Sequence, residues 1–540
     1  MTTIGTILVA SLAEGFVLRL APHTQELVHV GGFVCIRERT YKHFCLVTDL
    51  RLGSTLPAAL DTITTITNPI VCDLLKKRFL YTQAQLKPML TLTAGGDFYQ
   101  AKSIPPHASC AHIASEQDLA AIFGSEADPS NSYFAIGTPL VGSTPICINL
   151  QSLSERSSGV FGKTGTGKTF ITRLLLAGCI NQKKAVTIIF DMHNEYGHAA
   201  RSEDGAKTTV PGLKTLFPSR VATFSLDPQS TRKRGSSPDV TITLPLESVR
   251  IEDIMLLQQE LNLHPTACEA AYLLAAQYKN RWLCELFAAK DRLVELAAKT
   301  GAHPESLAAL YRKLKAIERL PFFTTDTQNT GSEKTVIDQM INYIDNGISI
   351  VIEFGRYTST ICYLLIANII TRRLHSAYHA KVEEYLGNVA RVAEPHQLII
   401  VIEEAHKFLN TANARQTIFG IIAREMRKYY ISLLVVDQRP SSIDSEILSQ
   451  IGTKIIAQLS DEKDIAAALT GAPHANDLKN ILSTLDSRGQ TLIIGHAIPM
   501  PIVINTRRYD SKFFATLQKQ KNTPAVDAHS DDITKLLYGN

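Results

Sequence analysis

Residues Gly162-Lys-Thr-Gly-Thr-Gly-Lys-Thr169 decide the fold of this chain. They match the pattern Gly-x-x-x-x-Gly-Lys-Ser/Thr, in which a tight backbone turn points successive N–H groups into one concavity that holds phosphate oxygens. The residues assigned to phosphate binding are Gly162, Lys163, Thr164, Gly165, Thr166, Gly167, Lys168 and Thr169. The alternative is an ordinary glycine-rich turn. The strand-like residues before the loop and the helix-like residues after it favour a P-loop.

Two side chains of this loop have specific predicted roles. Lys168 places a positive charge on the phosphates, and the Thr169 hydroxyl is a predicted Mg²⁺ ligand. A helix that begins at the same turn directs the positive end of its dipole at the anion. The loop therefore predicts a site for a phosphorylated nucleotide and a magnesium ion.

Size and composition limit the class of protein. A chain of 540 residues is too long for one ordinary core. No stretch of about 18 residues is free of both charge and strong polarity, as a membrane span would be, and no signal-peptide pattern opens the sequence. We therefore expect a cytoplasmic protein without a membrane segment. The nine scattered cysteines argue against a zinc ribbon or a disulfide framework, and a net charge of +4 neither requires nor excludes nucleic acid.

The chain divides into segments with different patterns. Residues 1–150 contain short β-branched runs separated by turns, which predicts a small barrel or sandwich that serves docking or oligomerisation. Residues 151–249 and 321–510 alternate buried strands with helices, the pattern of a parallel α/β core. Residues 250–320 form a helical insertion, and residues 511–540 form a polar tail. Arg232, Lys233 and Arg234 lie together in a loop that either contacts nucleic-acid phosphates or is simply solvated.

Carboxylates follow a second apolar strand. The run 397–402 leads directly into Glu403 and Glu404, where a P-loop enzyme places its metal-binding and water-activating acids. We assign Glu403 to the metal and Glu404 to the attacking water, with a purely structural pair as the alternative. The usual first member is Asp, and Glu403 is one methylene longer.

Further polar residues are predicted to surround the γ-phosphate. Asp191 and Glu195 follow the apolar strand at 185–190, at the edge of an α/β sheet where ligands bind, although a plain polar loop is the alternative. Gln438 ends the neighbouring strand and is predicted to orient water. Arg427, Arg424 and Arg156 are candidate arginine fingers, with a local cap for Gln438 and surface pairing for the two later arginines as alternatives.

The order of these motifs resembles the HerA helicase/translocase family, which shares an ATPase superfamily with FtsK. The resemblance covers about residues 1–510. It rests on the P-loop, Asp191-x-His-x-Glu195-Tyr196, Glu403-Glu404-Ala-His406, Arg424-x-x-Arg427-Lys-Tyr429 and Gln438-Arg-Pro-Ser441. It differs from the family pattern at Glu403, where Asp is usual, and at Met192, where Pro is common.

The resemblance implies a fold and a function. The expected fold class is α/β: a RecA-like P-loop ATPase core with an all-α insertion and an N-terminal β-barrel. The expected function is ATP- and Mg²⁺-dependent translocation of double-stranded DNA by a hexameric ring, with a nuclease or other effector protein as partner, in DNA end processing or antiviral defence. The family match makes Glu404 the catalytic glutamate, places Asp191 and Glu195 at the active site, and suggests that Arg427 and Arg156 act in trans.

Two other functions fit the same motifs. One is a nucleotide-gated ring scaffold that assembles and regulates an effector enzyme, with DNA translocation secondary. The other is a coupling ATPase of conjugation or secretion, although such proteins normally carry membrane helices. The ATP site is common to all three functions, so the motifs alone do not separate them.

Overall fold

Strands and helices alternate along most of the chain. The computed structural model describes residues 3–38, 40–55, 67–93, 95–128, 130, 132–201, 209–324, 335–411, 414, 417–425, 428–486 and 488–522. Its strands are β1 Thr3–Ser11, β2 Gly15–Leu20, β3 Phe33–Arg37, β4 Tyr41–Ser54, β5 Leu80–Thr93, β6 Phe98–Gln100, β7 Cys110–Ile113, β8 Tyr133–Pro139, β9 Ile146–Asn149, β10 Ser158–Phe161, β11 Val186–Asp191, β12 Ala200–Arg201, β13 Thr209–Val210, β14 Val221–Ser225, β15 Val240–Thr241, β16 Leu244–Pro245, β17 Phe323–Thr324, β18 Ser349–Glu353, β19 Leu398–Glu403, β20 Ile431–Asp437, β21 Thr453–Ala457, β22 Gln490–Gly495 and β23 Ile502–Thr506. Its α-helices are α1 Pro69–Phe79, α2 Glu116–Phe123, α3 Leu150–Glu155, α4 Lys168–Gln182, α5 Leu213–Leu216, α6 Pro228–Lys233, α7 Ile251–Met255, α8 Pro265–Tyr278, α9 Trp282–Ala288, α10 Leu293–Thr300, α11 Pro304–Glu318, α12 Val336–Asp345, α13 Thr360–Gly387, α14 His406–Leu409, α15 Ile418–Glu425, α16 Ser445–Gln450, α17 Glu462–Ala468, α18 Ala475–Thr484 and α19 Ser511–Asn522.

The first strands form a closed antiparallel barrel. The strand order is β2-β1-β7-β3-β4-β5, and β5 pairs back onto β2, so the barrel closes without a free edge. On β4, Cys45 and Val47 face the barrel interior, whereas Phe44 and Leu46 pack into the large core of the rest of the chain. This alternation follows from the two-residue period of a strand. It explains why the run is apolar on both faces.

A second, larger sheet forms the α/β core. Its order is β15-β14-β18-β11-β19-β20-β10-β21-β22-β23-β8-β9, and neighbouring strands are parallel from β15 to β21 and antiparallel from there to β9. The strands β10, β11, β19 and β20 are buried along their whole length, as continuous apolar runs predict. The predicted fold class, a RecA-like P-loop core with an N-terminal β-barrel and an all-α insertion, is confirmed.

Strands β8 and β9 belong to this large sheet, although the sequence pattern grouped them with the N-terminal 150 residues. Strand β8 pairs antiparallel with β23, and the Asn505 side chain donates a hydrogen bond to the Pro139 carbonyl, 366 residues away in sequence. Phe134 and Ile148 pack into the core of the α/β part. A short strand pattern does not specify which sheet its strand joins, because the partner strand lies far away in sequence.

The helical insertion packs around the one tryptophan. Trp282 is 1% exposed, and its indole N–H donates to the Val249 carbonyl at 3.1 Å. At the start of the insertion, buried Asp253 accepts hydrogen bonds from the Arg372 guanidinium at 2.7 Å and the Asn368 amide at 2.6 Å, both on α13. This charged contact holds the insertion to the α/β core.

The predicted polar tail begins with a docked helix. In α19, Phe513 and Leu517 are buried, and the Phe513 ring lies 6.2 Å from the Phe134 ring of β8. Residues 523–540 of the tail lie outside the described residues. No disulfide joins the nine cysteines, all of which lie among the described residues. Among the described residues, none of the helices combines the length and apolar character needed to span a bilayer.

The docking of α19 predicts a stability effect. Because Phe513 is buried between β8 and the residues around Tyr509, Phe513→Ala should lower the free energy of unfolding by about 3–5 kcal/mol. Phe514→Ala is the matched control, since Phe514 is only partly buried and should cost clearly less. Urea denaturation of both variants measures the difference. Equal losses would contradict the docked helix.

Candidate active site

The P-loop connects β10 to α4, and its glycines are required by its shape. A Cβ on Gly162 would lie 2.7 Å from Thr166 Oγ1 and 2.9 Å from Ala457 Cβ, so no side chain fits there. Gly167 has a φ of +89° and begins α4. No side chain caps the N-terminus of α4, which leaves this end of the helix accessible to an anion.

Lys168 lies between the loop backbone and a group of acids. Its Nζ donates to the Lys163 carbonyl at 3.0 Å. Burial lowers the pKa of Lys168, and the negative charges of Glu404, Asp437 and Glu403 act in the opposite direction. A partly desolvated cation among carboxylates is suited to bind phosphate, because its charge is weakly screened there.

Four adjacent parallel strands end in a carboxylate. The strands β18, β11, β19 and β20 end at Glu353, Asp191, Glu403 and Asp437, which are 1%, 0%, 9% and 1% exposed. Asp191 lies opposite Glu353 in the strand register. Since the strands are parallel, all four acids lie at the carboxyl edge of the sheet, where the P-loop also begins.

Glu403 presents one bonded and one unbonded oxygen. The Tyr196 hydroxyl donates to Glu403 Oε1 at 2.8 Å, whereas the buried Oε2 has no hydrogen-bond partner among the described residues. Burial and then the charge of Asp191 raise the pKa of Glu403 to about 8. An unsatisfied carboxylate oxygen in the cavity wall fits a hard divalent cation, which prefers oxygen ligands.

Glu404, Gln438 and Thr164 form a hydrogen-bonded chain. The Gln438 amide donates to Glu404 Oε1 at 2.8 Å, and the Thr164 hydroxyl of the P-loop donates to Gln438 Oε1. Glu404 has a φ of +50°, a conformation that non-glycine residues rarely adopt and that concentrates at functional sites. The structure therefore brings these sequence-predicted residues together from two neighbouring strands and the loop.

Comparisons with known proteins agree with this geometry. Residues 134–374 match the family model of the central domain of the helicase HerA. The chain is 24% identical over 533 residues to the DNA double-strand break repair helicase HerA of Saccharolobus solfataricus, covering 94% of this chain and 92% of that protein. It is 23% identical over 409 residues to the protein of the same name from Pyrococcus furiosus, covering 72% and 71%.

This chain is a P-loop ATPase with a central part similar to that of HerA. The resemblance drawn from its motifs is thereby confirmed. Among solved structures, VirB4 of Thermoanaerobacter pseudethanolicus aligns over 71% of this chain and 98% of that chain, with a TM-score of 0.46 and 14% identity.

Asp191 is buried and does not line the nucleotide cavity. Its carboxylate accepts hydrogen bonds from the backbone N–H groups of Glu195 at 2.7 Å, Tyr196 at 2.8 Å and Gly197 at 3.3 Å. Burial raises its pKa to about 6. These contacts indicate that Asp191 stabilises the loop after β11, whereas the sequence predicted that Asp191 takes part directly in catalysis. Glu195 lies within the cavity lining.

Arg156 lies at the opposite edge of the sheet from the P-loop. It precedes β10 in an extended conformation, with φ −131° and ψ 151°, whereas the P-loop follows β10. Gly162 is six residue steps beyond Arg156 along an extended chain, roughly 20 Å at about 3.3 Å per step. Arg156 therefore does not reach the P-loop of its own chain. Its Nε is buried without a hydrogen-bond partner among the described residues.

Of the two remaining predicted arginines, only one lies among the described residues. Arg424, near the end of α15, donates to the Ala414 carbonyl at 3.1 Å. Arg427 lies outside the described residues.

A cavity of about 800 Å³ lies over the P-loop. Its volume falls in the roughly 300–1,000 Å³ range of small-molecule sites. The sequence-predicted residues that line it are Thr164, Gly165, Thr166, Gly167, Lys168, Thr169, Glu195, Glu403, Glu404 and Gln438. Gly162 and Lys163 form the base of the loop.

Sequence reasoning missed other residues of the same cavity. They are Arg173, Asn194, Asp437 and Arg488. Arg173 carried a usable signal, since it follows Thr169 by four residues and therefore shares its helix face. Asp437 ends β20, where its carboxylate accepts from the backbone N–H and the imidazole of His406 at 2.7 and 3.0 Å. This contact raises the pKa of His406.

The chain from Thr164 to Glu404 predicts a kinetic defect. Gln438→Ala should lower the rate of ATP hydrolysis roughly 100-fold with nucleotide affinity little changed, because Glu404 loses the amide that holds it against the loop. Gln458→Ala is the matched control: Gln458 also neighbours the P-loop, but its amide donates to the Leu485 carbonyl. Steady-state turnover and mant-ADP binding measure both. If Gln438→Ala hydrolysed ATP at the unmodified rate, Gln438 would have no part in hydrolysis.

Proposed function

We propose that this protein is an ATP-driven double-stranded DNA translocase that works as a hexameric ring. The observation that carries the proposal is the hydrogen-bonded chain from the P-loop through Gln438 to Glu404, which supports Glu404 as the acid that activates water. The two similar proteins described above are named as DNA double-strand break repair helicases, which supports DNA as the substrate.

Each site residue has a proposed part in hydrolysis. Lys168 and the N–H groups of the loop hold the phosphates, Glu404 orients and deprotonates the attacking water, and Gln438 positions Glu404. Thr169 and Glu403 would hold Mg²⁺, whose charge neutralises the phosphate oxygens when it is bound. Glu195, on the far wall of the cavity, completes the polar surface around the γ-phosphate.

The position of Arg156 supports the proposed ring. Because this arginine is turned away from the P-loop of its own chain, its proposed role is to complete the site of a neighbouring subunit. Six subunits would then carry six shared sites, each with its P-loop from one chain and its arginine from the next. Arg427 has the same proposed part.

Exposed cations supply a candidate surface for the DNA backbone. Arg232 and Lys233 are exposed at the end of α6, whereas neighbouring Arg234 donates to buried Glu353 at 3.0 Å. Arg356 is 66% exposed and donates through Nε to Asp227 at 2.8 Å. A guanidinium held by one nitrogen keeps its other N–H groups for phosphate oxygens.

The same proposal includes a partner protein. The ring would act with a nuclease or another effector, in DNA end processing or in defence against phage. The N-terminal barrel is the proposed docking module, since its described residues contribute no side chain to the nucleotide cavity.

The decisive experiment compares ATPase rates with and without double-stranded DNA. We expect DNA to raise the rate of the full chain several-fold, and a Glu404→Gln variant to bind ATP without this response. Translocation is then measured by displacement of a triplex-forming strand. Hydrolysis without DNA stimulation, together with ATP-dependent capture of an effector, would instead support the nucleotide-gated scaffold.

The shared site predicts complementation between two defective subunits. Arg156→Ala and Lys168→Ala rings should each be inactive, whereas co-expressed mixtures should recover activity at about a quarter of the interfaces, where an intact arginine meets an intact P-loop. Mixtures of Lys168→Ala with Glu404→Ala are the control, because both residues belong to one chain's site and no interface regains the pair. Absence of recovery with Arg156→Ala would place that arginine outside the trans site.

A further inference from the structure

A tyrosine hydroxyl holds the unusual first acid of the site. Glu403 stands where Asp is usual, and its longer side chain adds a rotatable bond to a group that must be aimed. The Tyr196 hydroxyl donates to Glu403 Oε1 at 2.8 Å, and within the described part of the chain Oε2, in the buried wall of the cavity, has no hydrogen-bond partner. The hydrogen bond therefore selects one orientation of the carboxylate.

Tyr196 is itself immobilised from its backbone. Its N–H donates to Asp191 at 2.8 Å, its carbonyl accepts from the N–H of Leu213 at 2.8 Å, and its side chain is 0% exposed. Asp191 ends the strand next to the one that carries Glu403. The tyrosine is thus fixed to the same sheet as the acid that it contacts.

A buried arginine connects this tyrosine to the P-loop helix. Arg173 is 1% exposed, and its guanidinium donates to the Glu195 carbonyl, immediately before Tyr196. The guanidinium lies 5.8 Å from the centroid of the Tyr196 ring and 5.1 Å from that of Phe170, at cation–π distance. Since Arg173 is one turn after Thr169 on α4, the helix that holds the phosphate also holds the tyrosine loop.

We propose that Tyr196 is a positioning residue that aims Glu403 at the magnesium site, with Arg173 holding Tyr196 from the P-loop helix. The inference rests on the proposed ATP- and Mg²⁺-binding function. This role explains why residue 403 is Glu and not Asp. The extra methylene of Glu403 brings Oε1 to the Tyr196 hydroxyl, while Oε2 stays available for the metal or its water.

The length of the side chain at residue 403 provides a test of this arrangement. An aspartate at residue 403 would withdraw the carboxylate by about one carbon–carbon bond, roughly 1.5 Å. The separation from the Tyr196 oxygen would then exceed the roughly 3.0 Å limit of an O–H···O hydrogen bond. In a Glu403→Asp protein the Tyr196 hydroxyl therefore cannot donate a hydrogen bond to the carboxylate of residue 403.

The experiment measures metal binding without turnover. The full chain is loaded with ADP, Mn²⁺ binding is followed by electron paramagnetic resonance, and Mg²⁺ competition gives its affinity. Tyr196→Phe, which keeps the ring that Arg173 contacts, should weaken Mg²⁺ binding roughly 10–100-fold. In the Glu403→Asp background the same change should alter affinity by less than about twofold.

Tyr363→Phe is the matched control. The Tyr363 hydroxyl is also buried and also contacts Glu403, but through backbone atoms, donating to the carbonyl at 3.0 Å and accepting from the N–H at 3.1 Å. This variant should lower the unfolding midpoint, and its effect on Mg²⁺ affinity should be the same whether residue 403 is Glu or Asp.

The outcomes separate the inference from the function on which it rests. If Tyr196→Phe binds Mg²⁺ as tightly as the unmodified protein, or weakens it equally in both backgrounds, the positioning role is overturned while the ATPase site stands. If the unmodified protein binds ADP without a competing Mg²⁺ site, both fail. The single variant Glu403→Asp removes the same hydrogen bond by shortening the acid, so it should also bind Mg²⁺ more weakly.

Discussion

The parallel register of five neighbouring strands is the constraint on which the rest of the structure depends. The strands β18, β11, β19, β20 and β10 are hydrogen-bonded in parallel, so their carboxyl ends meet along one edge. Four of them end in an acid and the fifth ends in the P-loop. If one strand shifted by two residues relative to its neighbour, the same faces would stay apolar, but the acid at the end of the shifted strand would leave the site.

The charges collected at this edge are costly to bury. Each acid is therefore given donors: Asp191 takes three backbone N–H groups, Asp437 takes His406 and a backbone N–H, and Glu353 takes Thr231 and Arg234. Glu403 differs, because one of its oxygens has no hydrogen-bond partner among the described residues. The proposed cation site rests on that unsatisfied oxygen, because buried polar atoms in a purely structural network normally have hydrogen-bond partners.

The parts of the chain outside the sheet determine how this edge is used. The barrel packs one face of β4 into the large core, and Arg372 ties the helical insertion to α13. Arg156 is held on the far side of the sheet, where its stem lies against Gly452. The fold of a single chain thus separates the P-loop from this arginine, and in the proposed ring only a neighbour can bring the two together.

The sequence by itself determined the P-loop, the Glu403–Glu404 pair, Gln438, the order of buried strands and the β-rich start of the chain. These features are local: periodicity and motif spacing depend on residues that are close in sequence. Only the tertiary structure decided that β8 and β9 join the large sheet, that Asp191 supports a loop, and that Arg173 and Tyr196 lie beside Glu403. Tyr196 and Glu403 are 207 residues apart in sequence. Their contact depends on the pairing of two strands, and a one-dimensional pattern does not specify which strands pair.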